Sequence, residues 1–137
     1  MGLFKKKQTL SNHVQNCKKY IEEYFHEKGE PTEQHQFETE NRWFLKKGSA
    51  MIFISIMEFG NCATLKVMSP ILYIPEDNQL AFFKRCLEIN NEIMNCSIAI
   101  FDNKVNLIHE RPIEGIDQKE VSTTIEYLSN MADNLDN

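Results

Sequence analysis

The sequence predicts an α+β protein of one domain, in which an antiparallel sheet packs against helices. Three segments carry apolar residues at three- and four-residue steps, and shorter segments between them alternate or run continuously apolar. The predicted order is α-β-β-β-α-β-β-α. The 137 residues are 42% hydrophobic and 26% charged, which is typical of one globular core. We expect residues 1–137 to form this domain, with residues 1–8 as a flexible basic terminus.

The first helix is predicted to run from Thr9 or Ser11 to Lys28. Gly29 and Pro31 follow it, a pair that is typical of a helix end. Its apolar stripe consists of Leu10, Val14, Cys17, Ile21, Tyr24 and Phe25.

Three strands follow, at Phe37–Leu45, Ala50–Glu58 and Ala63–Tyr73. A later hairpin at Ser97–Phe101 and Lys104–Glu110 turns at two residues that tolerate a left-handed conformation.

The second predicted strand is apolar on both faces, which indicates that it is covered on both sides. One face carries Met51, Phe53 and Met57, and the other carries Ile52, Ile54 and Ile56. In the third strand, Ser69 and Pro70 predict an edge, a bulge or an end of pairing, because proline cannot donate a hydrogen bond.

Two further helices have recognisable beginnings. The second is predicted at Asn78–Asn95, after a proline and two acidic residues. The last begins with Asp117 as N-cap and Glu120 three residues later, and Ile116 and Val121 bracket the cap as a hydrophobic staple.

The second helix has more apolar surface than one sheet can cover. Its apolar residues fall in two adjoining sectors, one with Leu80, Phe83, Leu87 and Met94, the other with Phe82, Cys86, Ile89 and Ile93. A helix on a sheet needs an apolar arc of about 100°. The excess predicts contact with a second copy or a partner, and we assign the dimer interface to the second sector. The alternative is that helices of one monomer cover both sheet faces. Asn90 lies within the apolar arc and is predicted to be structural. Its side chain would hydrogen-bond a nearby strand end or fix the register between two helices.

The sequence provides no catalytic, cofactor or metal site that we can identify. The four cysteines form no C-x-x-C pair, and His13 with Cys17 would give a metal only two ligands. The formal net charge of −5 argues against nucleic acid as a partner. No apolar run is long enough to span a membrane and no secretory signal is present, so we expect a cytoplasmic protein with reduced thiols.

Several segments after residue 42 share their order and spacing with a known family. They are Trp43-Phe44-Leu45-Lys46-Lys47-Gly48-Ser49-Ala50, Ser69-Pro70, Ile74-Pro75, Leu87-Glu88-Ile89-Asn90-Asn91, Arg111-Pro112-Ile113-Glu114-Gly115-Ile116-Asp117 and Met131-Ala132-Asp133-Asn134-Leu135-Asp136. In these segments the chain resembles the YbjN-like family, which shares a fold group with the class I type III secretion chaperones. The resemblance implies a bacterial cytoplasmic protein that forms homodimers and binds peptides on exposed sheet and groove surfaces.

The first functional hypothesis is therefore a non-enzymatic, peptide-binding, chaperone-like homodimer without a cofactor. An extended client would contact the sheet at Ile52, Ile54, Ile56 and Leu65, with Trp43 at one margin. The alternatives are a regulatory module that docks on one folded partner and an enzyme with an unrecognised site.

Overall fold

A five-stranded antiparallel sheet forms the centre of the computed structural model, which describes residues 2–30, 32, 35–38 and 41–136. Its strands are β1 (Arg42–Lys47), β2 (Ala50–Phe59), β3 (Cys62–Tyr73), β4 (Ser97–Phe101) and β5 (Lys104–Pro112). They lie side by side in the order β1-β2-β3-β5-β4, so β1 and β4 are the two edges. The predicted α+β class and element order are confirmed.

Three helices accompany the sheet: α1 (Gly2–Glu27), α2 (Gln79–Glu92) and α3 (Gln118–Asp136). Helices α1 and α3 contact each other and together cover one face of the sheet, which we call the inner face. Helix α2 lies beside the edge strand β4, and among the described elements β4 is the one it packs against. None of the described helices has a stretch that is long and apolar enough to span a membrane.

The inner face holds the hydrophobic core because alternate residues of each strand point toward the helices. Ile52, Ile54 and Ile56 of β2 are buried there, as are Leu65 and Val67 of β3. The helices contribute matching stripes, which are Val14, Cys17, Ile21, Tyr24 and Phe25 from α1 and Val121, Ile125, Leu128 and Ala132 from α3. The other face of the sheet, the outer face, has no helix on it.

Helix α3 begins as predicted. The Asp117 carboxylate accepts a hydrogen bond from the Glu120 backbone N–H at 2.8 Å, which makes Asp117 the N-cap. Ile116 and Val121 are both buried, as a hydrophobic staple requires. The Glu120 carboxylate does not return to the cap but binds Arg111 of β5 at 2.5 Å, so this side chain fixes the helix to the sheet instead.

Several boundaries differ from the predicted ones. Helix α1 begins at Gly2, not at Thr9 or Ser11, and so runs through the segment predicted to be a flexible terminus. Strand β1 begins at Arg42 rather than Phe37, because the residues before it pair with its edge instead of extending it. Strand β3 continues through Pro70 to Tyr73, with the bulge that proline predicted.

Candidate functional site

Helix α2 has no buried residue, although it contains five large apolar side chains. Leu80 is 86% exposed and Leu87 70%, and Met94 just beyond the helix is also 70% exposed. Phe83 lies between them on the same side and borders a shallow groove with Ile100 of β4. The α2–β4 surface is the name we give to this apolar set, which consists of Leu80, Phe83, Leu87, Met94 and Ile100. Burying one such side chain on another molecule stabilises a complex by about 1.5–3 kcal/mol.

The residues predicted to form the dimer interface face their own chain in part, and their role between two copies stays a prediction. Phe82, Cys86 and Ile93 are half-buried and pack against the edge of the core, and Ile89 is half-buried as well. The helix uses this sector to lie on β4. The other apolar sector, with Leu80 and Leu87, is the one left in solvent.

Asn90 holds α2 to the sheet edge through a pair of hydrogen bonds. Its side-chain oxygen accepts from the Ile98 N–H at 2.6 Å, and its side-chain nitrogen donates to the Ile98 carbonyl at 3.2 Å. Ile98 therefore directs both backbone groups away from β5. In an antiparallel ladder this direction repeats every second residue, so Ile100 also directs its N–H and carbonyl to the open side. The β4 edge is satisfied at Ile98 and available at Ile100.

The opposite edge of the sheet, at β1, is covered by the chain itself. The Phe37 N–H donates to the Arg42 carbonyl at 3.0 Å, and the Phe44 N–H donates to the His35 carbonyl at 2.7 Å. The His35 ring stacks on Phe25 of α1 at 4.9 Å between centroids, while the Phe37 ring lies 5.1 Å from that of Phe44. Residues 35–37 thus occupy the positions that an added strand would need beside residues 42–44.

The five residues predicted to contact a client lie in the core. Trp43, Ile52, Ile54, Ile56 and Leu65 are all buried on the inner face, between 0% and 6% exposed, beneath α1 and α3. A client cannot reach them while the helices are in place. This position corrects the assignment, and the part of the sheet that remains accessible is the outer face.

The outer face carries an apolar row beside a charged row, both running across four strands. Cross-strand pairing places Phe44, Phe53, Met68 and Ile108 in the apolar row. Two residues further along the strands, it places Arg42, Ser55, Lys66 and Glu110 in the charged row. Between β1 and β5 the surface forms an open groove of about 480 Å³. Such a surface can hold an amphipathic segment.

The thiols and histidines do not form a reactive group. Burial raises the pKa of Cys17 to about 12 and that of Cys96 to about 11, so both are protonated thiols at neutral pH and poor nucleophiles. His13 would therefore share a metal with a buried, protonated Cys17. Among the described residues, no group of three or more potential ligands could hold a metal ion.

One cleft, of about 600 Å³ between β5 and α3, does contain converging ionisable side chains. Arg111 and Glu120 there form an ion pair with each other, and the ring of His109 hydrogen-bonds the Asn95 carbonyl. These contacts connect β5 with α3 and with the segment after α2. They give Arg111, Glu120 and His109 structural roles in the cleft.

Comparison with known proteins supports the fold. No protein-family model and no curated protein matches the chain. The crystal structure of the ExsC–ExsE complex contains a chain of similar fold, with a TM-score of 0.67 and 11% sequence identity. The match covers 86% of this chain and 89% of that chain. At this identity the match shows a shared fold alone, and it does not bear on the YbjN-like family.

Proposed function

We propose that this chain is a non-enzymatic, chaperone-like protein that forms a homodimer and binds polypeptide clients. The observation that carries the proposal is a helix with no buried residue, α2, which presents Leu80, Leu87 and Met94 to solvent next to an open strand edge. The similarity to a chain of the ExsC–ExsE complex supports protein binding as the activity. From the sequence resemblance we infer membership in the YbjN-like family and a bacterial cytoplasmic location, where the four free cysteines stay reduced.

We propose that a second copy of the chain buries the α2–β4 surface. In a two-fold dimer the same patch meets itself, so an apolar patch is complementary to its own copy. Patches of this kind, with several large apolar side chains together, mark interfaces in soluble proteins. The Ile100 backbone groups on the β4 edge can pair with the same groups of the partner.

The oligomeric state tests this part of the proposal. We expect the mass from sedimentation or light scattering at micromolar concentration to be that of a dimer, and Leu87→Glu to be a monomer, because the substitution places a charge in the apolar interface. Leu135→Glu on α3, where leucine is 39% exposed, is the matched control and should stay dimeric. A monomeric wild-type protein at these concentrations refutes the dimer.

Client binding is tested separately. A chaperone-like protein suppresses the aggregation of a partly unfolded client or binds extended peptides, whereas a module that docks on one folded partner does neither. Both assays use the full chain and Leu87→Glu, so that loss of the dimer and loss of client binding are measured independently. If neither assay detects binding, the chaperone-like function is wrong.

A further inference from the structure

We propose that the outer face of the sheet binds an acidic amphipathic segment of polypeptide, with its carboxylates over the charged row and its apolar side chains over the apolar row. The inference rests on the proposed function and names the chemistry of the client. It also moves the client from the inner face, where the sequence had placed it, to the face that has no helix.

The charge of the outer face is opposite to that of the whole chain. The protein has a formal net charge of −5, but the strand residues that point outward include four cations, Arg42, Lys46, Lys66 and Lys104, and one carboxylate, Glu110. Glu110 accepts a hydrogen bond from the Thr64 hydroxyl at 2.7 Å. Asp102, in the turn after β4, also lines the groove and adds a second carboxylate. The local excess is still positive, and at physiological salt such charges act over about 8 Å, which favours a ligand in direct contact.

The four cations are available to a ligand. The ion pairs among the described residues use other side chains, so none of the four is held by a carboxylate there. Lys104 lies 5.2 Å above the ring centroid of Tyr73, and Tyr73 is 75% exposed. Unpaired cations beside exposed aromatic rings bind carboxylates without first breaking a protein ion pair.

The spacing of the two rows explains why one ligand would carry both the carboxylates and the apolar side chains. Neighbouring strands are about 4.8 Å apart, and residues two apart along a strand are about 6.7 Å apart. Lys66 is thus about 7 Å from Met68 along β3, and Arg42 is at the same separation from Phe44 on β1. One short segment with acidic and apolar side chains covers both rows.

Two other ligands fit less well. A nucleic acid would satisfy the cations but would leave the methionine and isoleucine side chains of the apolar row against phosphates. A second copy would satisfy the apolar row, but the α2–β4 surface is at a different place on the molecule and already provides a self-complementary patch.

The test measures peptide binding by fluorescence anisotropy. Three labelled synthetic peptides share the same leucine and phenylalanine positions and carry glutamate, glutamine or lysine at the remaining positions. We expect the glutamate peptide to bind most tightly and the lysine peptide most weakly. The double variant Arg42→Gln, Lys66→Gln should weaken glutamate-peptide binding about twofold to thirtyfold, since exposed charge pairs contribute about 0.2–1 kcal/mol each, and leave glutamine-peptide binding nearly unchanged.

Lys19→Gln on α1 removes the same charge from an exposed position away from the sheet, and we expect it to bind like wild type. Phe53→Ser, in the apolar row, should weaken binding of all three peptides. Raising the salt concentration should reduce the affinity for the glutamate peptide alone.

The outcomes separate this inference from the proposed function. Equal binding of the three peptides, or an equal effect of the double variant and Lys19→Gln, overturns the acidic client while peptide binding stands. A labelled single-stranded oligonucleotide that binds as tightly as the glutamate peptide also overturns it. The protein could also suppress aggregation as a dimer while Phe53→Ser leaves its peptide affinity unchanged. That result places the client on another surface.

Discussion

Removing the side-chain amide of Asn90 should detach α2 from the sheet more than it unfolds the protein. The amide makes both of its hydrogen bonds to one residue, Ile98, and β4 is the strand that α2 packs against. In Asn90→Ala, the backbone N–H and carbonyl of Ile98, which is half-buried, lose this hydrogen-bond partner. Two such bonds contribute about 1–3 kcal/mol together.

The matched control is Asn91→Ala, one residue later on the same helix and exposed. Both substitutions gain the same helix propensity, about 0.7 kcal/mol or less, so the difference between the variants isolates the hydrogen bonds. We expect Asn90→Ala to be less stable than Asn91→Ala by about 1–3 kcal/mol in urea unfolding.

Hydrogen exchange locates the loss. Amides of α2 should lose protection in Asn90→Ala, while those of β2 and β3 in the sheet centre keep theirs, because α2 opens without the core. Dimer dissociation should become easier by a similar free energy. Equal unfolding curves and equal exchange in the two variants refute a role for Asn90 in holding the helix.

Two further predictions concern the other side of the molecule. Gly48→Ala should destabilise the protein more than Gly60→Ala: both glycines have positive φ, which costs about 1–2 kcal/mol for alanine, but a Cβ at Gly48 would clash with the Asp133 carboxylate whereas nothing lies near Gly60. Burial raises the pKa of Glu126, but hydrogen bonds from Lys28 and Tyr24, together with the charges of Lys28 and Lys47, outweigh this and lower it overall. The native state therefore loses stability as pH falls from the ordinary value of 4.5 through the lowered pKa, and Glu126→Gln should remove this part of the acid dependence.

Periodicity and capping predicted the elements whose signals are local. Helix α3 has an N-cap at Asp117 and a narrow apolar stripe, of which Val121, Ile125, Leu128 and Ala132 are buried. The bulge at Pro70 follows from a missing N–H, which is also a local property. Such features depend on the residue itself and its near neighbours, so no tertiary information is needed.

The choice of sheet face could not be made from β2 alone. Both of its faces are apolar, so alternation separates the faces without telling which one the helices take. A signal was present on the neighbouring strands, where Arg42, Lys46 and Lys66 share a face with the methionine and phenylalanine side chains of β2. A face with charged residues on adjacent strands is the solvent face.

The orientation of α2 was ambiguous for the same reason. Its apolar arc is wide enough for two contacts, and the sequence does not say which half lies on the chain's own sheet. Asn90 is next to Cys86 and Ile93 on the helical wheel, and a polar group in an apolar arc needs a backbone partner nearby. Since strand edges offer such partners, the half with Asn90 is the one that meets β4.

One covered and one open edge limit how copies of this chain can assemble through strand pairing. An exposed strand edge on both sides of a sheet would allow addition of copy after copy. Here residues 35–37 cover β1, while β4 is available at Ile100 beside the apolar side chains of α2. A copy that pairs at β4 uses an edge that is open at Ile100, and residues 35–37 of that copy cover its own β1 at Arg42 and Phe44 in turn. Pairing through β4 therefore ends at two copies, with both outer faces still free for a client.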